Sequence, residues 1–133
     1  MSERIETAVL DAQGLSSWIA GDRRTQALIK AFEVFGTDLV VCANTIVEVS
    51  HARVNTARLD WTLSRVRVEP VTAQSARAAA RLLKENGLHG HKYALDATVA
   101  ELALRQRGPV AVLTSDVDDM TRLCGPRVRL VPC

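Results

Sequence analysis

Two short aliphatic runs each lead into an aspartate, and this constrains the chain more than any other feature. Ala8-Val9-Leu10 runs into Asp11, and Val110-Ala111-Val112-Leu113 runs through Thr114-Ser115 into Asp116. Runs this short and this apolar, with polar residues at their ends, read as strands buried on both faces. Leu39 to Ala43 is a third such run. Val66 to Val71 and Val128 to Val131 are shorter strand candidates.

Helical segments fill the intervals. Ala12 to Ala20 carries Leu15, Trp18 and Ile19 on one face. Thr25 to Phe35 repeats Leu28, Ala31, Phe32 and Phe35 at i, i+3, i+4 and i+7. Asn44 is placed to cap a helix with Ile46, Val49 and Ala52 turned inward. Ala73 to Glu85 is an alanine-rich helix closed by Asn86-Gly87. His89 to Lys92 reads as a polar loop before a helix from Tyr93 to Arg107, which Gly108-Pro109 stops, and Asp116 to Cys124 is a last short helix. Strands alternating with helices predict an α/β fold: three layers, α/β/α, around a mainly parallel sheet of four to five strands. The 133 residues form one expected domain, 1–133, large enough for a core without staples.

In an open parallel sheet, ligands bind beyond the carboxyl ends of the strands. Asp11 and Asp116 both fall there. Glu48 lies in the first turns of the helix after the third run, and Asp96 in the first turn of the helix leading into Val110 to Leu113. Crossover helices start at the carboxyl edge, so topology carries both acids to Asp11 and Asp116. The neighbours of Asp96 at i+3, i+4 and i+7 are Val99, Ala100 and Ala103. A carboxylate on that face protonates, pairs or binds metal, because an isolated buried charge costs several kcal/mol. Lys92 or Arg77 could supply such a pair.

Four converging carboxylates repel one another, and a divalent cation relieves the repulsion. Oxygen-only donors favour Mg²⁺ or Mn²⁺, and the matching chemistry is phosphodiester hydrolysis. In Thr114-Ser115-Asp116-Val117-Asp118-Asp119, Asp116 and Asp118 are the expected ligands, with Thr114 or Ser115 orienting a water or a carboxylate. Ser115-x-x-Asp118 also has capping-box spacing, and Asp119 reads as a helix-terminal acid rather than a catalytic one. Taken singly, Asp11 could be an N-cap and Glu48 a solvated helix acid. The four together carry the metal reading.

These residues, in this order, resemble the PIN-domain family, and within it the small VapC-type toxins. Val9-Leu10-Asp11 resembles the family's first acid after its first strand, and Ile46-Val47-Glu48-Val49 its helical glutamate. Gly90-His91-Lys92-Tyr93-Ala94-Leu95-Asp96-Ala97 is similar to the stretch around its third acid. Thr114-Ser115-Asp116-Val117-Asp118-Asp119 matches its late T-x-D-x-D signature. The resemblance covers nearly the whole chain. It implies an Mg²⁺- or Mn²⁺-dependent endoribonuclease that cuts RNA and inhibits growth. It also implies a homodimer and a cognate VapB-like antitoxin that blocks the acidic site and, with the toxin, represses their operon. Gln13 departs from the pattern, standing where many relatives carry Ser or Thr.

Composition narrows the alternatives. The net charge of +2 is too small to argue for nucleic acid alone. Arginines outnumber lysines, with Arg23, Arg24, Arg53, Arg58, Arg65, Arg67, Arg77, Arg81 and Arg105 among them. Guanidinium suits phosphate, although a GC-rich genome would produce the same bias. Cys42, Cys124 and Cys133 are odd in number and lack a CxxC, the usage of a reduced cytoplasmic protein. No apolar run approaches the ~18 residues of a membrane span, and the polar Met1 to Glu6 is unlike a signal peptide. The His89-x-His91 pair has no cysteine partner for zinc, and Trp18 and Trp61 read as core or dimer packing. A small-molecule phosphohydrolase would carry a second acid two residues after Asp11. A receiver domain would need a mid-chain strand-end Asp and a late strand-end Lys. A PIN fold kept only as an RNA-binding or scaffold module would not need all four acids.

Overall fold

The structure is a computed structural model that describes residues 4–133, so the first three residues of the polar opening lie outside the described residues. β1 (Thr7–Leu10), β2 (Asp38–Cys42), β3 (Arg67–Glu69), β4 (Val110–Thr114) and β5 (Arg129–Pro132) form one sheet in the order β3-β2-β1-β4-β5. Every pairing is parallel. Helices α1 (Ala12–Ile19), α2 (Arg23–Val34), α3 (Ala43–Val49), α4 (Thr56–Leu63), α5 (Ala73–Glu85), α6 (Gly90–Leu104) and α7 (Val117–Cys124) cover it.

The two faces follow from strand alternation. Val9, Val40, Val110 and Val112 pack with residues of α5, α6 and α7, among them Leu83, Ala97, Ala100 and Met120. Ala8, Leu10, Leu39, Val41 and Leu113 pack on the other side with Leu15, Trp18, Ile29, Val49 and Leu59, from α1 to α4. This is the three-layer α/β/α arrangement. Fully buried side chains such as Leu10 and Leu113 each contribute about 2 kcal/mol of burial. Leu10 lies opposite Val41 on one side and Leu113 on the other, so β1, β2 and β4 reach the carboxyl edge level with one another.

Several local expectations shift. The inward face of α2 is Thr25 and Ile29, flanked by half-buried Leu28 and Phe32; Ala31 is exposed and Phe35 is 61% exposed. Phe35 caps the helix end, where it has left the core-facing stripe. α3 begins at Ala43, so Asn44 is inside it; its N-cap is Cys42, with no side-chain cap bond. Ala52 lies beyond this seven-residue helix and is exposed. α4 has no counterpart among the segments expected from sequence. Its only buried residues are Leu59 and Thr62, too sparse an apolar pattern to stand out. His89 to Lys92 is not a loop: α6 begins at Gly90, with His89 as its N-cap. Trp18 is 4% exposed and packs edge-on against Trp61, which is 47% exposed and so not a core residue.

Gly14 allows α1 to sit over the end of β4. A Cβ there would come within 3.1 Å of both Leu113 Cβ and the Leu113 carbonyl oxygen. That carbonyl accepts the Asp11 N–H at 3.1 Å and cannot retreat without breaking the bond. Gly14→Ala is therefore expected to lose about 1–2 kcal/mol net, overpacking outweighing the gain in helix propensity. Urea unfolding measures this, and a Gly14→Ala variant as stable as wild type would refute the close-packing account.

Candidate metal centre

Asp11 ends β1 and begins α1. It is 7% exposed, and its carboxylate accepts the Gly14 N–H at 2.9 Å, so it is the N-cap of α1. The cap does not exhaust the carboxylate, because only Oδ1 is engaged by that amide. Burial pushes its pKa up, the hydroxyl of Thr114 and the amide of Gly14 oppose this, and the charge of Asp116 adds to the rise. Thr114 is fully buried at the end of β4, and its hydroxyl accepts the Asp116 N–H at 2.9 Å, bending the chain so that Asp116 follows the strand as N-cap of α7.

Asp96 lies in the second turn of α6, not the first, because the helix starts at Gly90. Its helical neighbours Val99, Ala100 and Ala103 are buried. Burial first, and then the charges of Asp116, Asp119, Glu48 and Asp11, push its carboxyl up to about 6. Glu48 is the penultimate residue of α3 and exposed. Its pKa is raised by partial burial and by Asp11 and Asp116. The four sequence-selected acids therefore lie within one another's fields at the carboxyl edge.

The tightest group is Asp96, Asp116 and Asp119, each offering a carboxylate oxygen within 4.8 Å of the others. Asp119, read from sequence as a helix-terminal acid, joins this group. Asp118 is exposed and outside it. The capping alternative has no bond behind it, since α7 has no side-chain cap. Ser115 is exposed, next to Asp116. The signal for Asp119 was available in the helical period. Asp116 and Asp119 are three residues apart at a helix start and share a face, whereas Asp118 is turned away from Asp116 by two residues.

None of the ion pairs among the described residues involves any of these acids, and neither Lys92 nor Arg77 pairs with Asp96. The donor set fits a hard divalent cation. Oxygens bound to one Mg²⁺ lie about 3 Å apart when adjacent and about 4.2 Å apart when opposite, so the trio need close by up to about 2 Å around an ion. An all-oxygen donor set suits hard divalent cations.

Comparison with known proteins agrees with this architecture. A chain of the VapBC2 complex of Rickettsia felis, crystallised bound to a DNA fragment from its promoter, superposes with a TM-score of 0.73. The match covers 96% of this chain and 98% of that one at 16% sequence identity, a likeness of fold. No curated protein sequence matches the chain. The PIN domain family matches residues 8–125, from the strand before Asp11 to the end of the helix after Asp116. With that match across most of its length, its parallel sheet and its acids at the carboxyl edge, the chain belongs to the PIN domain family.

Proposed function

We propose that the protein is a metal-dependent endoribonuclease, the toxin of a VapC-type toxin–antitoxin pair, acting in the cytoplasm as a homodimer. It is neutralised there by a VapB-like antitoxin, and operator DNA is reached only through that antitoxin. PIN membership supports the nuclease class. The shared fold with a VapBC2 chain supports the toxin class. The observation that carries the reading is the trio Asp96, Asp116 and Asp119, which no ion pair among the described residues neutralises, with Asp11 and Glu48 in the same field. No helix among the described residues is long and apolar enough to cross a membrane.

In this reading Asp11, Asp96, Asp116 and Asp119 hold Mg²⁺ or Mn²⁺, with Glu48 at the margin and Asp118 outside. When bound, the ion polarises a phosphate and lowers the pKa of an attacking water. Gly14 keeps the Asp11 carboxylate aimed by its amide. Thr114 fixes the turn that presents Asp116, and Ser115 lies beside it. Glu48, outside the trio and exposed to solvent, is the residue assigned to accept a proton from water.

The test is cleavage of total cellular RNA by the purified, antitoxin-free protein in Mg²⁺ or Mn²⁺ against EDTA. Chelation is expected to slow cleavage by at least roughly a hundredfold, since metal charge stabilisation is worth several kcal/mol. Cleavage unaffected by EDTA, or none on any RNA with metal bound, would overturn the reading.

A further inference from the structure

An acidic site must still hold a polyanion, and the structure sorts the arginines by their availability for that task. Arg65 is tied to Glu33, Arg67 to Glu69 and Arg105 to Glu101. Arg58 donates to the carbonyls of Trp18 and Ile19 at the end of α1 and lies over the Trp61 ring. Those four are committed to the fold.

Other exposed cations, among them Arg23, Arg24, Arg53, Arg107 and Arg122, are also outside the ion pairs among the described residues, and Arg77, Arg81 and Lys84 are set apart by their alignment. All three are exposed on α5, and none takes part in an ion pair among the described residues. Their spacing, i, i+4 and i+7, puts them in one stripe along the helix. The opposite face of α5 is buried through Ala79 and Leu83, so the stripe faces solvent by construction. Glu101, on the neighbouring α6, is already engaged by Arg105.

The stripe ends at Lys84, beside the turn into α6, the helix that carries Asp96. Only Asn86 to His89 separate α5 from α6, and the two helices pack against each other, so they form a hairpin. Lys84 lies in the last turn of α5. Just across the hairpin turn, Lys92 is exposed in the first turn of α6 and rests on the Tyr93 ring. Lys92 precedes Asp96 by four residues, one helical turn, on the same face. Each step from Arg77 to Arg81, from Arg81 to Lys84 and from Lys92 to Asp96 is about one turn, ~5 Å of rise.

We propose that Arg77, Arg81, Lys84 and Lys92 form the track that holds a single-stranded RNA backbone and feeds it to the acids at Asp96. The identity of the polyanion rests on the nuclease reading above; the track itself rests on the unpaired cations and their alignment. Phosphates are held by charge without base contacts, so the track contributes affinity and salt dependence rather than sequence choice.

The experiment is equilibrium binding of a single-stranded RNA oligonucleotide in EDTA, where cleavage is off, at several salt concentrations. The triple variant Arg77→Ala, Arg81→Ala, Lys84→Ala is compared with a charge-matched triple, Lys30→Ala, Arg127→Ala, Arg129→Ala. Alanine favours the helix of α5, and thermal melts verify that both variants fold. The α5 triple is expected to bind at least about tenfold more weakly, and its log K against log salt slope to flatten by about 2, since each lost single-strand phosphate contact removes ~0.7. Lys92→Ala alone should flatten the slope by about 0.7. The control triple should bind like wild type. Equal weakening by both triples, or none by the α5 triple, would overturn the track. Intact RNA binding with loss of a protein partner would overturn it too and assign the stripe to that partner. Cleavage assays on the same proteins separate the two readings. A wild type that binds along α5 and never cuts sinks the nuclease alone; an α5 triple that binds and cuts normally sinks the track alone.

Discussion

Asp96→Asn abolishes metal-dependent RNA cleavage, with an expected loss of roughly a thousandfold or more, about 4 kcal/mol of transition-state stabilisation. The same substitution makes the metal-free protein more stable, which separates a site acid from a structural one. Asp96 has an ordinary value of 3.8 and is pushed up to about 6 in the folded protein by burial and by its acidic neighbours. Between those two values the native state holds more protons than the unfolded chain, so stability falls as pH rises through that window. Above about 6 the penalty is fully present, and below 3.8 it is absent. Asparagine keeps the shape and removes the charge. In EDTA near neutral pH the Asp96→Asn variant should gain about 1–2 kcal/mol, a figure discounted for the solvent that screens a half-buried group. The gain should vanish at about pH 3.5, below both values. Adding Mn²⁺ should raise the melting temperature of wild type and leave the variant's almost unchanged. Thermal or urea unfolding across pH, with and without metal, reads all of this. A marked loss of metal-free stability at neutral pH would mean that Asp96 holds the fold together and is not held there against its own charge.

The second large effect discriminates between two adjacent acids. Asp119→Asn is expected to slow cleavage by roughly 10–100-fold, the loss of one charged donor near the ion, while Asp118→Asn stays within about threefold. Both residues lie in the first turn of α7 and help its N-terminus by about 0.5 kcal/mol, so neither should unfold the protein. Only Asp119 brings a carboxylate oxygen into the group with Asp96 and Asp116. Metal-induced thermal stabilisation should shrink for Asp119→Asn and persist for Asp118→Asn. The reverse ranking would return the ligand to Asp118, where the T-x-D-x-D spacing alone assigned it.

Some of this protein is legible without coordinates because the relevant physics is local. Ala8-Val9-Leu10 and Val110 to Leu113 are too short and too apolar to be anything but strands buried on both faces, and they pair in register as neighbours. Strand-end placement of Asp11 and Asp116 follows from chain order, and parallel topology alone sends the helices bearing Glu48 and Asp96 to the same edge. The Asn86-Gly87 stop and the alanine-rich α5 are likewise written in residue types.

What residue types leave open is decided by packing. α4 shows only two buried residues and forms because α1 offers a surface for it. The first turn of α6 looks like a loop, with Gly90 and flanking histidines, and is helical because the helix it begins is buried against β1, β2 and β4. That extension moves Asp96 into the second turn and decides its depth. The choice between Asp118 and Asp119 depends on where α6 meets α7, a contact between segments some twenty residues apart in the chain. The sorting of the arginines into committed and unpaired depends on partners such as Glu33 and Gln106, more than thirty residues from Arg65 and Arg67. Sequence by itself determined which groups exist and to which edge of the sheet they travel, because burial and chain direction are properties of short segments. Only the tertiary structure decided which carboxylates gather into one group and which cations stay unpaired among the described residues, because those are distances between segments that the chain brings together only on folding.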